Sequence, residues 1–177
     1  MTAHLIGATA AGAGAGAVLA LLGSALRPVT GPPGRGQLVL LAAALLLGTA
    51  LELSRRRLPS VRRQVNEEWL HRYRGWVYGV GFGVQLGVGV TTIVTAAAVY
   101  GTLLAALLTG SPALGAVIGG VFGAIRGATP LAAAHVRTPR QLVAVDAALR
   151  RWDGRMRAAT LAAEVGLAAF ALGVAVG

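Results

Sequence analysis

The sequence has no cysteine, few aromatic residues and few charges, and each of these shortages excludes a class of protein. Without cysteine, the chain cannot form disulfides, bind metals through thiolates or hold an iron–sulfur cluster. Aromatic residues make up only 5% of the chain. A module that reads nucleic-acid bases by stacking is therefore disfavoured despite the net charge of +10, and we expect no nucleic-acid partner.

Charged residues amount to 12%, whereas 55% of the 177 residues are hydrophobic and a further 26 are glycine. The mean hydropathy is +0.69. Soluble domains contain about 45–50% apolar residues, glycine included, and disordered chains contain fewer. The composition therefore predicts an all-α protein that crosses a membrane several times.

Charge-free stretches define the expected transmembrane helices, because a bilayer core of about 30 Å requires roughly 20 apolar helical residues. The stretch from Gly75 to Ile125 is long enough for two helices, which we place on either side of a turn at Gly110, Ser111 and Pro112. The sequence thus predicts a single membrane domain, residues 1–177, with about five spans. These lie near residues 4–25, 37–54, 77–108, 113–136 and 158–176.

All sixteen basic residues are arginine, and they are distributed unevenly between the loops. Seven follow the second span and six follow the fourth, whereas two lie in the first loop and none in the turn at 109–113. The positive-inside rule then predicts a cytoplasmic N-terminus and an external C-terminus, and we expect a bacterial inner (plasma) membrane. A cleavable signal peptide is the alternative for residues 1–26, but this stretch lacks a basic leading segment.

A shift of 80 residues superposes the first two spans and their arginine-rich segment on the next two. This pattern indicates a degenerate parallel repeat of units 1–80 and 81–160, with the span at 158–176 left over. Alanine-rich helices align easily, so part of this signal is compositional.

Both arginine-rich segments have the pattern of an amphipathic helix lying in the cytoplasmic headgroup region. The second begins with Thr138, Pro139 and Gln141, which suit an N-cap, a first helical residue and a capping-box partner. Anionic lipid headgroups are the expected partner, and a soluble protein docking on these helices is the alternative. The expected membrane-interface residues are Trp69, Tyr73, Trp76 and Trp152.

Glycines recur at intervals of four in the third and fourth predicted spans. Small residues at this spacing form a surface on which another membrane helix packs closely, within the chain or in a homo-oligomer. The alternative is a ridge that slides during transport. The glycines assigned to helix packing are Gly79, Gly83, Gly87, Gly115, Gly119, Gly123 and Gly127.

The third predicted span is too long to be a straight transmembrane helix. Residues 75–108 would extend about 51 Å as one helix, which exceeds what an ordinary tilt accommodates. We expect a bend or break among the glycines around Gln85, and irregular backbone at that depth lines a cavity or is buried in protein. Gln85 and Thr91 are therefore candidate substrate-binding residues.

Arg126 and Glu164 are the charged residues predicted to lie deepest in the membrane, and intramembrane charges are functional hypotheses by default. Because Pro130 cannot donate to the carbonyl four residues earlier, we expect the Arg126 carbonyl oxygen to be unpaired. Arg126, Pro130 and Glu164 are accordingly candidate substrate-binding residues. The alternatives are a structural ion pair between Arg126 and Glu164, and a wrongly placed helix boundary.

The three histidines, His4, His71 and His135, lack the spacing of a zinc site, and no nucleophile motif or paired-carboxylate motif occurs. We therefore expect no metal, no cofactor, no catalytic residues and no enzymatic activity.

The spacing of Gly123, Arg126, Pro130 and Leu131 and the glycine-rich segment 79–89 resemble the broken helices of a known family. This is the cytochrome c biogenesis and thiol-disulfide reductase transmembrane family, with its exporter relatives. Its redox members use paired intramembrane cysteines, which this chain lacks. The resemblance implies a small-solute exporter or a non-catalytic membrane subunit.

Together these features predict a small multi-pass protein that transports or exports a small solute, with an anion as the candidate at Arg126. The alternative is a non-catalytic scaffold or assembly subunit that packs a membrane partner through its glycine ridges.

Overall fold

The computed structural model describes residues 2–30, 34–54, 81, 83–85, 87 and 97–177, without the side chains of 27–30, 132 and 133. Within these residues all regular structure is helical and no strand occurs, which confirms the all-α prediction. The helices are α1 (Thr2–Thr30), α2 (Arg35–Leu53), α3 (Ala98–Thr109), α4 (Pro112–Ala128) and α5 (Pro139–Val176), with a 3₁₀ helix at Thr129–Ala133. Residues 81, 83–85 and 87 are also helical.

Four helical stretches are long and apolar enough to cross a membrane, and α3 is a shorter apolar helix of 12 residues. The expected third span at 77–108 lies largely outside the described residues, and so do the first amphipathic segment and Trp69, Tyr73, Trp76, Gly79 and Thr91. The proposed repeat depends on the same segment and stays a prediction. The four stretches are Thr2–Leu26, Arg35–Leu53, Pro112–Leu131 and Pro139–Val176.

Small residues form the interior and large apolar residues form the surface, which is the reverse of a soluble protein. Among the described residues, eight of the ten buried hydrophobic side chains are alanine. Ile125 and Phe170 are instead 67% and 71% exposed. Lipid can solvate such outward side chains, while small inward residues let membrane helices approach one another. This distribution supports the membrane prediction.

α1 and α4 pack antiparallel with their backbones in contact, at a surface that we call the glycine seam. It consists of Gly12 and Gly16 on α1 and Gly115, Gly119 and Gly123 on α4. A Cβ atom on Gly12 would overlap the carbonyl oxygen of Gly119, and one on Gly16 would overlap that of Gly115. Contacts this close allow dispersion and weak Cα–H···O interactions between the two backbones, which hold membrane helices together.

Three further predicted packing glycines also approach α1. Gly127 extends the row on α4 and lies against Ala8, with 2.7 Å between the Ala8 Cβ and a Cβ built on Gly127. From the helical segment near residue 85, Gly83 and Gly87 approach the α1 backbone at His4 and Ala8. Residues from two other helical segments are therefore in close contact with α1.

α2 connects this part of the bundle to α5. It packs antiparallel on α3, where a Cβ on Gly48 would lie 2.6 Å from the Cβ of Ala97. It also packs antiparallel on α5, where Leu45 and Ala168 belong to one buried apolar cluster. Among the described helices, α5 therefore makes an extensive contact only with α2.

The turn between α3 and α4 is confirmed at the predicted residues. Gly110 ends α3 in the left-handed conformation, with φ of 53°, where glycine has no steric penalty. Ser111 is the extended N-cap of α4 and Pro112 is its first residue, a position where the missing N–H costs nothing.

The end of α4 differs from the prediction. α4 ends at Ala128 and its apolar span ends at Leu131, rather than at residue 136. The chain tightens into a 3₁₀ helix, so the N–H of Thr129 donates to the carbonyl oxygen of Arg126. The expectation of an unpaired Arg126 carbonyl is therefore wrong, and Arg126 lies in the last turn of α4 rather than near the middle of a span.

α5 begins as predicted but does not stop where we expected a boundary. The N–H of Gln141 donates to Thr138 Oγ1 at 3.3 Å, and the N–H of Thr138 donates to Gln141 Oε1 at 3.1 Å, forming the predicted capping box. The helix then continues for 38 residues, about 57 Å. The amphipathic segment and the last span are thus one helix, because the arginines and alanines around residue 157 are good helix formers.

Candidate functional site

The most polar buried place among the described residues lies where three helices meet. The end of α2, the beginning of α3 and the middle of α5 contribute to a group that we call the Glu164 cluster. It consists of Thr49, Glu52, the backbone amide of Ala97, Arg157 and Glu164.

Glu164 is the centre of this cluster and is only 2% exposed. Its Oε2 lies 2.9 Å from the hydroxyl of Thr49, which is itself 7% exposed. Its other oxygen, Oε1, is buried and has no hydrogen-bond partner among the residues that the structure describes. Glu164 lies seven residues beyond Arg157 on α5, a rise of about 10 Å. A carboxyl group with one open oxygen therefore lies inside a helix that is able to span a membrane.

The side chains of Glu52, on α2, and Glu164, on α5, both lie near the beginning of α3. The N–H of Ala97 donates to Glu52 Oε1, and the backbone amide of Ala98 approaches the Glu164 carboxyl. The first N–H groups of a helix have no partner within the helix and carry a partial positive charge. Because the N-cap residue Ala97 has no side chain able to cap these groups, Glu52 on α2 accepts a hydrogen bond from the first of them, and the Glu164 carboxyl on α5 lies near the next.

Arg157 is the exposed member of the cluster. Its Nη2 donates to the backbone carbonyl oxygen of Glu52, which lies in the last turn of α2. Carbonyl groups at the end of a helix lack partners within the helix and favour a positive charge. Arg157 therefore links α5 to the end of α2, and it contacts the backbone of Glu52 rather than the Glu164 carboxyl.

Arg126 is not part of this cluster. Its guanidinium lies 5.4 Å from the centroid of the Phe122 ring on its own helix, at a position suited to a cation–π contact. Glu164 is engaged by Thr49, and the ion pair that the structure gives within its described residues joins Arg150 and Asp146. The expected ion pair between Arg126 and Glu164 is therefore not formed, because α4 packs on α1 whereas α5 packs on α2.

Of the remaining candidate substrate residues, Thr91 lies outside the described part of the chain, and Pro130 and Gln85 are not among the hydrogen-bond partners of Glu164. Pro130 lies in the 3₁₀ helix after α4, next to the Arg126 turn. Gln85 is partly buried and stands between Gly83 and Gly87, the two glycines that approach α1. Of the sequence-predicted candidates that the structure describes, Glu164 alone lies in the polar cluster.

Trp152 was predicted to be a membrane-interface residue, and it lies on the first half of α5. Its side chain is 53% exposed, and the guanidinium of Arg155 lies 5.1 Å from its ring centroid. Asp146 and Arg150 form an exposed i,i+4 ion pair at 2.8 Å one turn earlier. This half of α5 thus carries several exposed arginines together with an exposed aromatic ring.

A separate cavity of about 400 Å³ lies between the beginning of α2 and the end of α3, away from the Glu164 cluster. Leu38, Leu41 and Leu108 form most of its apolar lining, and Gln37 and Thr109 supply its polar groups. Neither Arg126 nor Glu164 lines it. This cavity therefore does not connect the predicted substrate residues.

Thr49 and Glu52 were not among the residues that the sequence analysis selected. With Leu45 they follow i, i+4, i+7 spacing, which places all three on one face of α2. A threonine and a glutamate on the same face of an apolar helix are a signal for a buried polar contact. In the sequence alone this signal is hard to see, because the nearby arginines at 55–57 favour an exposed Glu52 instead.

No protein-family model, curated protein or solved structure matches this chain. Within the residues that the structure describes, no three histidine or acidic side chains are grouped closely enough to hold a metal ion.

Proposed function

We propose that this chain is a multi-pass protein of a bacterial inner (plasma) membrane that transports a small solute, and that the Glu164 cluster takes part in transport. One observation carries this proposal. The carboxyl group of Glu164 is buried within an apolar helix, and its Oε1 has no partner in the described part of the chain. A carboxyl group inside a membrane is costly, and such residues commonly belong to ion or proton pathways.

The charge of the cluster favours a cation or a proton over an anion. Two carboxyl groups, Glu52 and Glu164, are close enough to repel each other when both are ionised. The anion suggested by the sequence depended on Arg126, which occupies the last turn of α4 and stacks near Phe122. We therefore consider a small cationic solute, or a solute moved together with a proton, the better candidate.

The orientation is part of this proposal and has its own test. With a cytoplasmic N-terminus and an external C-terminus, Ser111 faces the outside and Ser60 faces the cytoplasm. Because the chain has no cysteine, Ser111→Cys and Ser60→Cys each introduce a single thiol. An impermeant maleimide added to intact cells should label the Ser111→Cys variant only. Labelling of Ser60→Cys alone would reverse the orientation.

Transport is tested with the purified protein reconstituted in liposomes on a solid-supported membrane. Concentration jumps of small cations, amines and organic anions are applied, and the transient current is recorded. We expect a cation or an amine to produce a current that Glu164→Gln abolishes and Asp146→Asn, an exposed acid on the same helix, retains. Equal currents in the wild type and in Glu164→Gln would contradict a role for the cluster.

A non-catalytic scaffold or assembly subunit is the second candidate. The observation that favours it is the exposed apolar face of α4, with Leu114, Val117 and Val121 each more than half exposed. Lipid would cover this face equally well. The α4 glycines that first suggested partner binding are occupied by α1 within the chain.

The resemblance to the cytochrome c biogenesis and thiol-disulfide reductase family stays a prediction. Its implied exporter function agrees with the transport proposal, but the proposal depends on Glu164 and not on the resemblance.

A further inference from the structure

We propose that Glu164 reversibly binds a proton inside the bundle, and that the Thr49 hydroxyl reverses its hydrogen bond each time the proton is bound or released. This names the ion that the Glu164 cluster would handle, and it rests on the proposed transport function only for its physiological role.

The hydroxyl of Thr49 lies within reach of two acceptors but has one proton to donate. Its Oγ1 is 2.9 Å from Glu164 Oε2 and 3.0 Å from the backbone carbonyl oxygen of Leu45. When Glu164 is ionised, Thr49 donates to Oε2. When Oε2 carries a proton, the acid donates to Thr49 Oγ1 and Thr49 donates to Leu45. Both protonation states of Glu164 thus find a partner for Oε2 without any movement of the backbone.

The charges around Glu164 do not hold it permanently ionised. From α2, Glu52 opposes a negative charge on Glu164. From the beginning of α3, the amide of Ala98 favours such a charge, and from α5 itself the guanidinium of Arg157 is bound to the carbonyl oxygen of Glu52. No arginine or histidine of the described residues forms an ion pair with the Glu164 carboxyl. A buried carboxylate without a cation is strongly disfavoured, and a carboxyl group avoids that charge by binding a proton.

Release of the proton requires water at the open oxygen. The O–H bond of the neutral acid breaks, the proton passes to a water molecule as hydronium, and the electron pair stays on the carboxylate. Water reaching Oε1 would solvate this charge, and departure of the water would favour protonation again. A metal cation fits less well, because it requires several oxygen ligands and Oε1 is the carboxyl oxygen that is left open.

The test is infrared difference spectroscopy of the full-length protein in lipid bilayers while the pH is raised. We expect a carboxylic-acid C=O band that disappears at high pH, is missing in Glu164→Gln, and shifts to the position of a more weakly hydrogen-bonded acid in Thr49→Val. Thr49→Ser should retain the wild-type band, and Asp146→Asn serves as the control on an exposed acid. Persistence of the titrating band in Glu164→Gln would overturn the proposal. Loss of the band on adding sodium at constant pH would also overturn it, in favour of a sodium site.

A second measurement needs no substitution. An apolar carbodiimide reacts with the protonated form of a carboxyl group and adds its whole mass to that residue. We expect mass spectrometry to locate the adduct on Glu164 of the wild type and to show less of it as the pH rises. Labelling of Glu164 that does not change with pH would contradict reversible protonation. If the band titrates but no solute produces a current, the proton site is supported and the transport proposal is contradicted. If currents depend on Glu164 but no titrating band is found, transport is supported and the proton site is contradicted.

Discussion

The two main helix pairs of the bundle are held together by different means. At the glycine seam, the backbones of α1 and α4 touch where side chains are missing. Between α2 and α5, small and medium apolar residues surround one buried hydrogen bond, from Thr49 to Glu164. Water does not drive helices together inside a membrane, so close backbone packing and polar contacts are the two remaining means of association.

The comparison teaches where this bundle can change its shape. Backbone contacts at the seam have no side chain that could rotate to relieve an overlap, so that pair has one tight arrangement. The Thr49 hydroxyl can rotate between two acceptors, and Glu164 has an unused oxygen. We therefore expect α1 and α4 to move as one unit, and any functional rearrangement to occur between α2 and α5.

The largest expected effect is at the seam, and two glycines two residues apart on α1 provide a matched pair. A Cβ on Gly16 overlaps the backbone of Gly115, whereas a Cβ on Gly14 has no atom of the described residues within 4 Å. Gly16→Ala should lower the free energy of unfolding by about 3 kcal/mol. Gly123→Leu on α4, made as a separate variant, should lower it by more. Gly14→Ala should leave stability unchanged or raise it by up to about 1 kcal/mol. Thermal unfolding in detergent measures both, and equal melting temperatures for Gly14→Ala and Gly16→Ala would refute the seam.

An intermediate effect is expected at the Thr49 contact. Thr49→Val removes the hydrogen bond and leaves a buried carboxyl group without a partner, which should cost about 1–3 kcal/mol. Thr102→Val is the control, because the hydroxyl of Thr102 donates to the carbonyl of Ala98 in its own helix. Adding Glu164→Leu to Thr49→Val should recover part of the loss, since no unpaired acid then remains. Chemical denaturation of Thr49→Val, Glu164→Leu, the double variant and the Thr102→Val control tests this, and strictly additive losses in the double variant would contradict the contact.

The smallest expected effect lies outside both helix pairs, at the beginning of α5. Thr138→Ala removes the capping box and should cost about 1 kcal/mol, while Thr138→Ser should cost little. Hydrogen exchange should increase over the first turn of α5, and the amide of Glu164 should keep its protection. Loss of protection at both places would mean that the ends of this long helix are coupled to its middle.

The sequence was sufficient for the features that depend on neighbouring residues. The helical content, the turn at Gly110 and the cap at Thr138 each follow from residues that lie close together in the chain. It was insufficient for contacts between helices. Periodicity shows that Glu164 lies on a helix, but it does not show that α5 packs on α2, so Arg126 was chosen as its partner and Thr49 was overlooked.

The boundaries were wrong for a related reason. The predicted limit of α4 at residue 136 followed hydropathy alone, whereas the 3₁₀ turn at Thr129 depends on backbone hydrogen bonds around Pro130. The predicted boundary near residue 157 followed the change from charged to apolar residues. Backbone propensity does not change there, so one helix continues through it.

The glycine seam also has a consequence for biosynthesis. About 100 residues separate Gly16 from Gly115, and at roughly 5–20 residues per second the ribosome needs about 5–20 s to make them. During that interval α1 has been synthesised but its partner has not. Its apolar span of 25 residues is long enough to hold it in the bilayer alone. The tightest contact of the mature bundle therefore cannot form until α4 has been synthesised.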